Sequence, residues 1–285
     1  MPATPEHTPP VADPAVVGAG PDGTGRLLLD EAGDAVRATL AAGRDVVVVD
    51  DTTGHLVVGA SQTAEAEAEA GARPGTVRSY QDSVSAERAL VEQLAHAHAP
   101  LHVAVHPSLD TSLLGAAGVV LLRLPKSLDA LEETSQAIAR RAPADVVVYA
   151  AGPVKHMTRS MNDVLARSFG EVHATLGRFK ARALVARRPL DAARSAAPVF
   201  PRSAHQTELD LTVVAHGGVF AGARLDIGTR ALLAVLDEAQ PEARDAVDLG
   251  CGTGVLATLL ARSRPGIRVV ASDQSAAAVA SALAT

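Results

Sequence analysis

A chain of 285 residues is long enough for two domains at roughly 150 residues each. With 47% hydrophobic and 20% charged residues it has the balance of a folded globular protein, which argues against wholesale disorder. A net charge of −6 argues against a broad basic nucleic-acid face, though a local patch stays open, and the lack of Trp, with two Tyr and four Phe, argues against a stacked-aromatic single-strand platform. The only cysteine, Cys251, leaves no disulfide framework or thiolate metal cluster and fits a reducing, cytoplasmic setting.

In chain order, residues 1–24 are Pro/Gly-rich and aperiodic, which predicts a flexible tail without a secretory signal. Val46–Val49 reads as a buried strand closed by Asp50 and Asp51, and His55–Gly59 as a second strand. Ala64–Gly75 is low in complexity and predicts a surface insertion. A helix is expected over Ser83–His98, strands at Leu101–Val105 and Val119–Leu124, and a helix capped by Ser127 to about Arg141. Further strands are expected at Val146–Ala150, His173–Leu176 and Ala181–Ala186. Strands alternating with helices predict a parallel α/β sheet over 25–188. A Pro/Ala/Arg-rich stretch from Arg187 to Arg202 predicts a linker, set at 189–206, before a second α/β unit at 207–285. No stretch approaches the apolar length of a membrane span, so no membrane partner is expected.

The most informative segment is Asp248-Leu249-Gly250-Cys251-Gly252-Thr253-Gly254, a strand running through alternate glycines into an apolar helix. Glycine is needed where a backbone turns sharply or lies bare against a ligand, and the helix N-terminus offers unpaired N–H groups. Gly252-x-Gly254-x-x-Ala257, with Asp273 downstream, formally satisfies the dinucleotide pattern, so NAD(P) is one reading. Asp248, two residues before the first glycine, favours S-adenosylmethionine. A carboxylate there repels a pyrophosphate but suits a ligand carrying an ammonium and a sulfonium. Asp273 ends the next strand, where it could bind ribose hydroxyls or cap the last helix.

With Gly218-Val219-Phe220, Leu225-Asp226-Ile227-Gly228-Thr229, the glycine loop and Ser272-Asp273-Gln274-Ser275, the region from Leu209 resembles the small-domain class I methyltransferases that modify guanine N2 in ribosomal RNA. Tyr80-Gln81-Asp82-Ser83, Leu124-Pro125-Lys126-Ser127 and Phe179-Lys180-Ala181-Arg182 resemble that family's first domain, a degenerate copy that no longer binds the cofactor. The resemblance implies tandem Rossmann-like domains, with Asp248, Gly250, Cys251, Gly252 and Gly254 around the cofactor, Asp273 on its ribose, and Phe220, Asp226 and Gly228 at its methionine end. Phe220 could instead be core and Asp226 a helix cap. The single glycine of Asp50-Asp51-Thr52-Thr53-Gly54 agrees with an inert first domain.

These enzymes also carry an Asn-Pro-Pro-aromatic motif that aims the guanine amino group and stacks on the base. It is missing from this sequence, so no catalytic residue is assigned. The second domain is expected to be incomplete and the chain a C-terminally truncated member that binds the cofactor weakly and does not methylate RNA alone. Lys155, His156, Arg159, Arg167, Arg178, Lys180 and Arg182 form a basic stretch, read either as a solvated face or as a ribosomal-RNA contact surface. His96, His98, His102 and His106 lack a carboxylate at ligand spacing, so no metal is expected. The competing function is a non-catalytic RNA-binding module with a vestigial cofactor loop.

Overall fold

A computed structural model of the protein describes residues 21–96, 103–236 and 238–285. The first unit opens on α1 (Gly23–Ala41), whose N-cap Asp22 accepts from the Gly25 amide at 2.8 Å. Leu27, Leu28, Ala32, Val36 and Leu40 form its buried stripe. Gly23 and Thr24, placed in the expected tail, are helical; residues 1–20 of that expectation lie outside the described residues.

Strand β1 (Asp45–Val49) is buried on both faces, as its unbroken β-branched run requires. The expected strand at His55–Gly59 is instead the start of α2 (His55–Glu69). Leu56, Val57, Ala60, Ser61 and Ala64 are buried at spacings of one, three and four residues, the period of a helix face. The expected insertion is helical to Glu69 and lies on the surface apart from Ala64 and Gly75, which are buried.

There follow β2 (Val77–Tyr80), α3 (Val84–His96), β3 (Val103–His106), α4 (Thr111–Leu114) and β4 (Ala117–Arg123). Next come α5 (Leu128–Arg141), β5 (Val147–Pro153), α6 (Arg159–Ala166), β6 (Phe169–Ala174) and β7 (Ala181–Pro189). Ser127 caps α5 as expected, its hydroxyl accepting from the Ala130 amide at 3.2 Å.

The sheet order is β3-β2-β1-β4-β5-β7-β6. The five strands from β3 to β5 are mutually parallel, but β7 runs antiparallel to both β5 and β6, so the sheet is mixed rather than wholly parallel. Val46 and Val48 pack with α1 and α2 on one face, and Val47 and Val49 pack with α5 and α6 on the other. Strand order reverses between β1 and β4, which opens a crevice beyond their carboxyl ends.

The expected linker is structured. It contains the end of β7, the short α7 (Asp191–Ser195) and β8 (Arg202–Gln206), which forms an antiparallel hairpin with β9 (Leu211–Ala215). Then come α8 (Ile227–Leu233), β10 (Asp245–Leu249), α9 (Val255–Ser263), β11 (Arg268–Ser272) and α10 (Ala276–Ala284). Strands β10 and β11 are parallel and pair only with each other among the described residues. Leu211, Val213 and Val255 form the small core of this unit, while Val247 and Leu249 on β10 are 68% and 85% exposed.

The second unit docks on the crevice of the first. Ser83 and Ser275 form an antiparallel bridge flanked by two reciprocal bonds, Val84 N–H to the Gln274 carbonyl at 2.9 Å and Ala276 N–H to the Asp82 carbonyl at 2.8 Å. Both serines lie in equivalent strand-to-helix turns, β2 to α3 and β11 to α10, so the contact is a local two-fold.

Candidate functional site

The loop between β10 and α9 is shaped by three left-handed glycines, with φ of 77° at Gly250, 54° at Gly252 and 74° at Gly254. The amides of Gly250 and Cys251 both donate to the Ser272 carbonyl, at 2.8 and 3.0 Å, which fastens the loop to the end of β11. A Cβ at Gly252 would meet no atom within 4 Å, so its bare backbone faces open space. Gly254 serves a different need: a Cβ there would lie 2.8 Å from Ala282 Cβ, so α9 starts hard against α10.

Asp273 joins the two strand ends. One of its oxygens accepts from the Gly252 amide and the other from the Ser275 amide, both at 3.0 Å. It does not cap α10; Ser275 does, accepting from the Ala278 amide at 3.1 Å. Asp248 accepts from the Ala257 amide at 3.1 Å, and partial burial, with Asp273 nearby, pushes its carboxyl above the ordinary range. Burial also pushes the Cys251 thiol up, helped by Asp248 and Asp273, so this cysteine is not a ready thiolate.

A cavity of about 290 Å³ opens in front of this loop. Its wall includes Asp248, Gly250, Cys251, Gly252 and Asp273 together with Phe220 and Asp226. Phe220 is 82% exposed, which rules out its alternative role in the core. Asp226 is the N-cap of α8, accepting from the Gly228 and Thr229 amides at 2.9 and 3.2 Å and from the Thr229 hydroxyl at 2.6 Å. Those bonds, led by the Thr229 hydroxyl, hold its carboxyl below the usual range. Gly228 and Gly254 are not among the residues that line it.

Sequence reasoning missed Arg224, Thr229 and Ser275, which also line the cavity. Arg224 is the only cation in the wall and has no ion-pair partner among the described residues. Its signal was its place directly before the Leu225-Asp226-Ile227-Gly228-Thr229 motif.

The equivalent loop of the first unit is built differently. Gly54 is left-handed like Gly254, but Asp51, fully buried, sends its carboxylate to the Leu56 and Val57 amides at 2.8 and 3.2 Å. Asp248 makes the corresponding bond to the Ala257 amide in the second unit, so what sets the first loop apart is Thr52 in the place of Gly252.

The basic stretch divides. Val154 N–H donates to the Lys180 carbonyl at 3.0 Å and Gly152 pairs with Arg182, which brings Lys155, Lys180 and Arg182 to one end of β5 and β7. Arg159 begins α6 nearby in sequence, and all four are exposed. Arg178 is engaged elsewhere, with Glu31 at 2.9 Å and Asp30 at 3.5 Å, and Arg167 pairs with Glu132 at 2.6 Å. Among the described residues no group of three His, Cys, Asp or Glu side chains is placed to hold a metal; His98 and His102 lie outside them. No described helix is long and apolar enough to cross a membrane.

Comparison with known proteins matches residues 22–190 to the RLMG N-terminal domain and residues 210–285 to the methyltransferase small domain. A "Ribosomal RNA large subunit methyltransferase G" of Pseudomonas syringae pv. syringae is 34% identical over 247 residues, covering 86% of this chain and 62% of that protein. The protein of the same description from Pseudomonas paraeruginosa is 39% identical over 178 residues, covering 62% of this chain and 46% of its own length. The chain thus spans roughly half to three-fifths of these curated relatives. Among solved structures, a T. thermophilus 16S rRNA N2 methyltransferase (RsmC) in complex with AdoMet and guanosine has a TM-score of 0.61 at 21% identity. The match covers 90% of this chain and 65% of that one, and at this identity it speaks for the fold.

Proposed function

Because the chain belongs to the RLMG N-terminal domain family, with a methyltransferase small domain behind it, we propose that it supplies the S-adenosylmethionine site and an RNA-contacting surface of a ribosomal-RNA (guanine-N2) methyltransferase. The observation that carries this reading is the bare, left-handed Gly252 backbone facing a cavity closed by Asp248 and Asp273. The names of the curated relatives point to large-subunit RNA as the substrate.

The residues present fit the cofactor. Asp226, Asp248 and Asp273 make the wall acidic, which favours a ligand with an ammonium and a sulfonium over a dinucleotide pyrophosphate. Arg224, the cation in this wall, would pair with the cofactor's carboxylate, and Asp273 has lone pairs left for ribose hydroxyls after accepting its two amide bonds. When bound, the cofactor supplies an electrophilic methyl group. The part of the residues in this wall is to bind and orient it. The first unit, with Thr52 where the second has the bare Gly252, is read as taking no cofactor and as offering Lys155, Arg159, Lys180 and Arg182 to phosphates, with Arg178 as an ion-paired neighbour.

Calorimetric titration of the chain with S-adenosylmethionine and, separately, with NAD tests the reading. Saturable binding of the first, lost in Asp273→Ala, is expected; binding of NAD alone, or of neither, overturns it.

A further inference from the structure

Two walls of the cofactor cavity hang from side chains of the first unit. One is the turn after β11. There Asp82, on the turn after β2, accepts from the Ser275 hydroxyl at 2.7 Å and the Ala277 amide at 2.8 Å, while its carbonyl takes the Ala276 amide at 2.8 Å. The first turn of α10 is therefore capped jointly by its own Ser275 and by a carboxylate from the other unit. The other wall is the Gly217–Phe220 turn. Glu133 of α5 accepts from the Gly217 amide at 2.7 Å and hydrogen bonds His216 Nδ1 at 2.6 Å, and Ser127 donates to the Gly217 carbonyl at 3.0 Å. The fit is close: a Cβ at Gly217 would lie 2.3 Å from the Asp129 carbonyl oxygen.

These contacts sit one or two residues from groups that face the cavity. Asp82 grips Ser275, whose amide is bound by Asp273, and Asp273 in turn binds Gly252. Glu133 grips Gly217, next to Gly218, Val219 and Phe220 in the wall. Among the described residues the second unit's core is small, three buried side chains with partly buried neighbours, which leaves it little with which to set this spacing by itself.

We propose that Asp82 and Glu133 are positioning residues for the cofactor: the unit that binds none sets the separation between the Asp273 turn and the Phe220 turn that grips it. This rests on the cofactor reading above. The interface is then part of the binding site, and cofactor affinity is a property of both units.

The test uses the full chain. Asp82→Ala removes two acceptor bonds to α10 and is expected to weaken S-adenosylmethionine binding on the order of tenfold or more, as loss of charge-assisted bonds does. Asp82→Asn keeps one oxygen for the Ala277 amide and is expected to recover part of the loss, which a merely folded-or-unfolded effect would not grade. In cofactor-free protein, amide exchange at Gly252, Ser275 and Ala277 should speed up in Asp82→Ala, while Val46–Val49 in the first sheet stay protected. Glu133→Gln gives an independent reading from the second wall, with binding expected to fall and exchange at Gly217 to rise. Equal affinity in the parent and in both Asp82 variants overturns the proposal alone. A parent chain that binds no S-adenosylmethionine overturns the cofactor reading and the proposal together.

Discussion

Alanine at Gly252 and at Gly254 separates what the loop does for a ligand from what it does for the fold. Both positions are left-handed, with φ of 54° and 74°, so either alanine costs about 1–2 kcal/mol in backbone strain. At Gly252 nothing else is added, since the new methyl meets no atom within 4 Å. At Gly254 the methyl arrives 2.8 Å from Ala282 Cβ and 3.0 Å from its Cα, both on α10, which adds roughly 1–3 kcal/mol of overpacking. Gly254→Ala should therefore lose about 2–5 kcal/mol, enough to unfold a unit with so small a core. Gly252→Ala should stay folded yet lose cofactor binding, because its methyl occupies the space the ligand lies in. Urea unfolding followed by circular dichroism gives the first quantity and calorimetry the second. Parent-like S-adenosylmethionine affinity in Gly252→Ala would refute the claim that the ligand rests on that backbone. Equal stability of the two variants would refute the account of the α9–α10 contact.

Two other outcomes follow from charges in the first unit. Burial pushes the Asp50 carboxyl up to about 6, above its ordinary value, so the folded state binds the extra proton and the cost of ionising it is fully present above pH 6. Asp50→Asn should remove that cost while keeping an acceptor for the Asp82 amide at 3.0 Å, and asparagine suits the left-handed φ of 58°. The variant should be more stable than the parent by up to about 3 kcal/mol at pH 7–8, a gap that closes as pH falls toward 4; a constant gap across that range in urea titrations would contradict it. Lys180→Glu with Arg182→Glu should weaken RNA binding and flatten the salt dependence by about 1.5 in log–log slope, whereas Arg178→Glu should act mainly by breaking its pairs with Asp30 and Glu31. Unchanged affinity across salt in the double variant would return the patch to a solvated face.

Where local pattern and tertiary environment agree, the fold is legible from sequence. The β-branched run at Val46–Val49 can only be buried on both faces, and Ser127 caps α5 as its position before a helical stripe suggests. The Val57-Val58 pair misleads because β-branched residues favour strands, yet Asp51 caps this segment and its burial recurs with helical period. The signal for α1 was present in Asp22 and the Leu27 to Leu40 stripe, behind a Pro/Gly-rich lead. Strand direction is another matter: nothing in β6 or β7 alone says that they run antiparallel, since direction depends on the connections around them. The same holds at the site. The glycine loop and both aspartates stand out in the chain, but Asp82 and Glu133 reach it across more than 80 residues, and only the folded arrangement brings them there.

The bridge between Ser83 and Ser275 has the form of an isologous contact, the kind two identical subunits make across a dyad, here made within one chain. Each strand-to-helix turn acts as a gauge for the other. One residue inserted between Asp82 and Val84, or between Gln274 and Ala276, would throw the two flanking bonds out of register with each other. The spacing from Asp82 to Val84 in one unit is thus matched to that from Gln274 to Ala276 in the other.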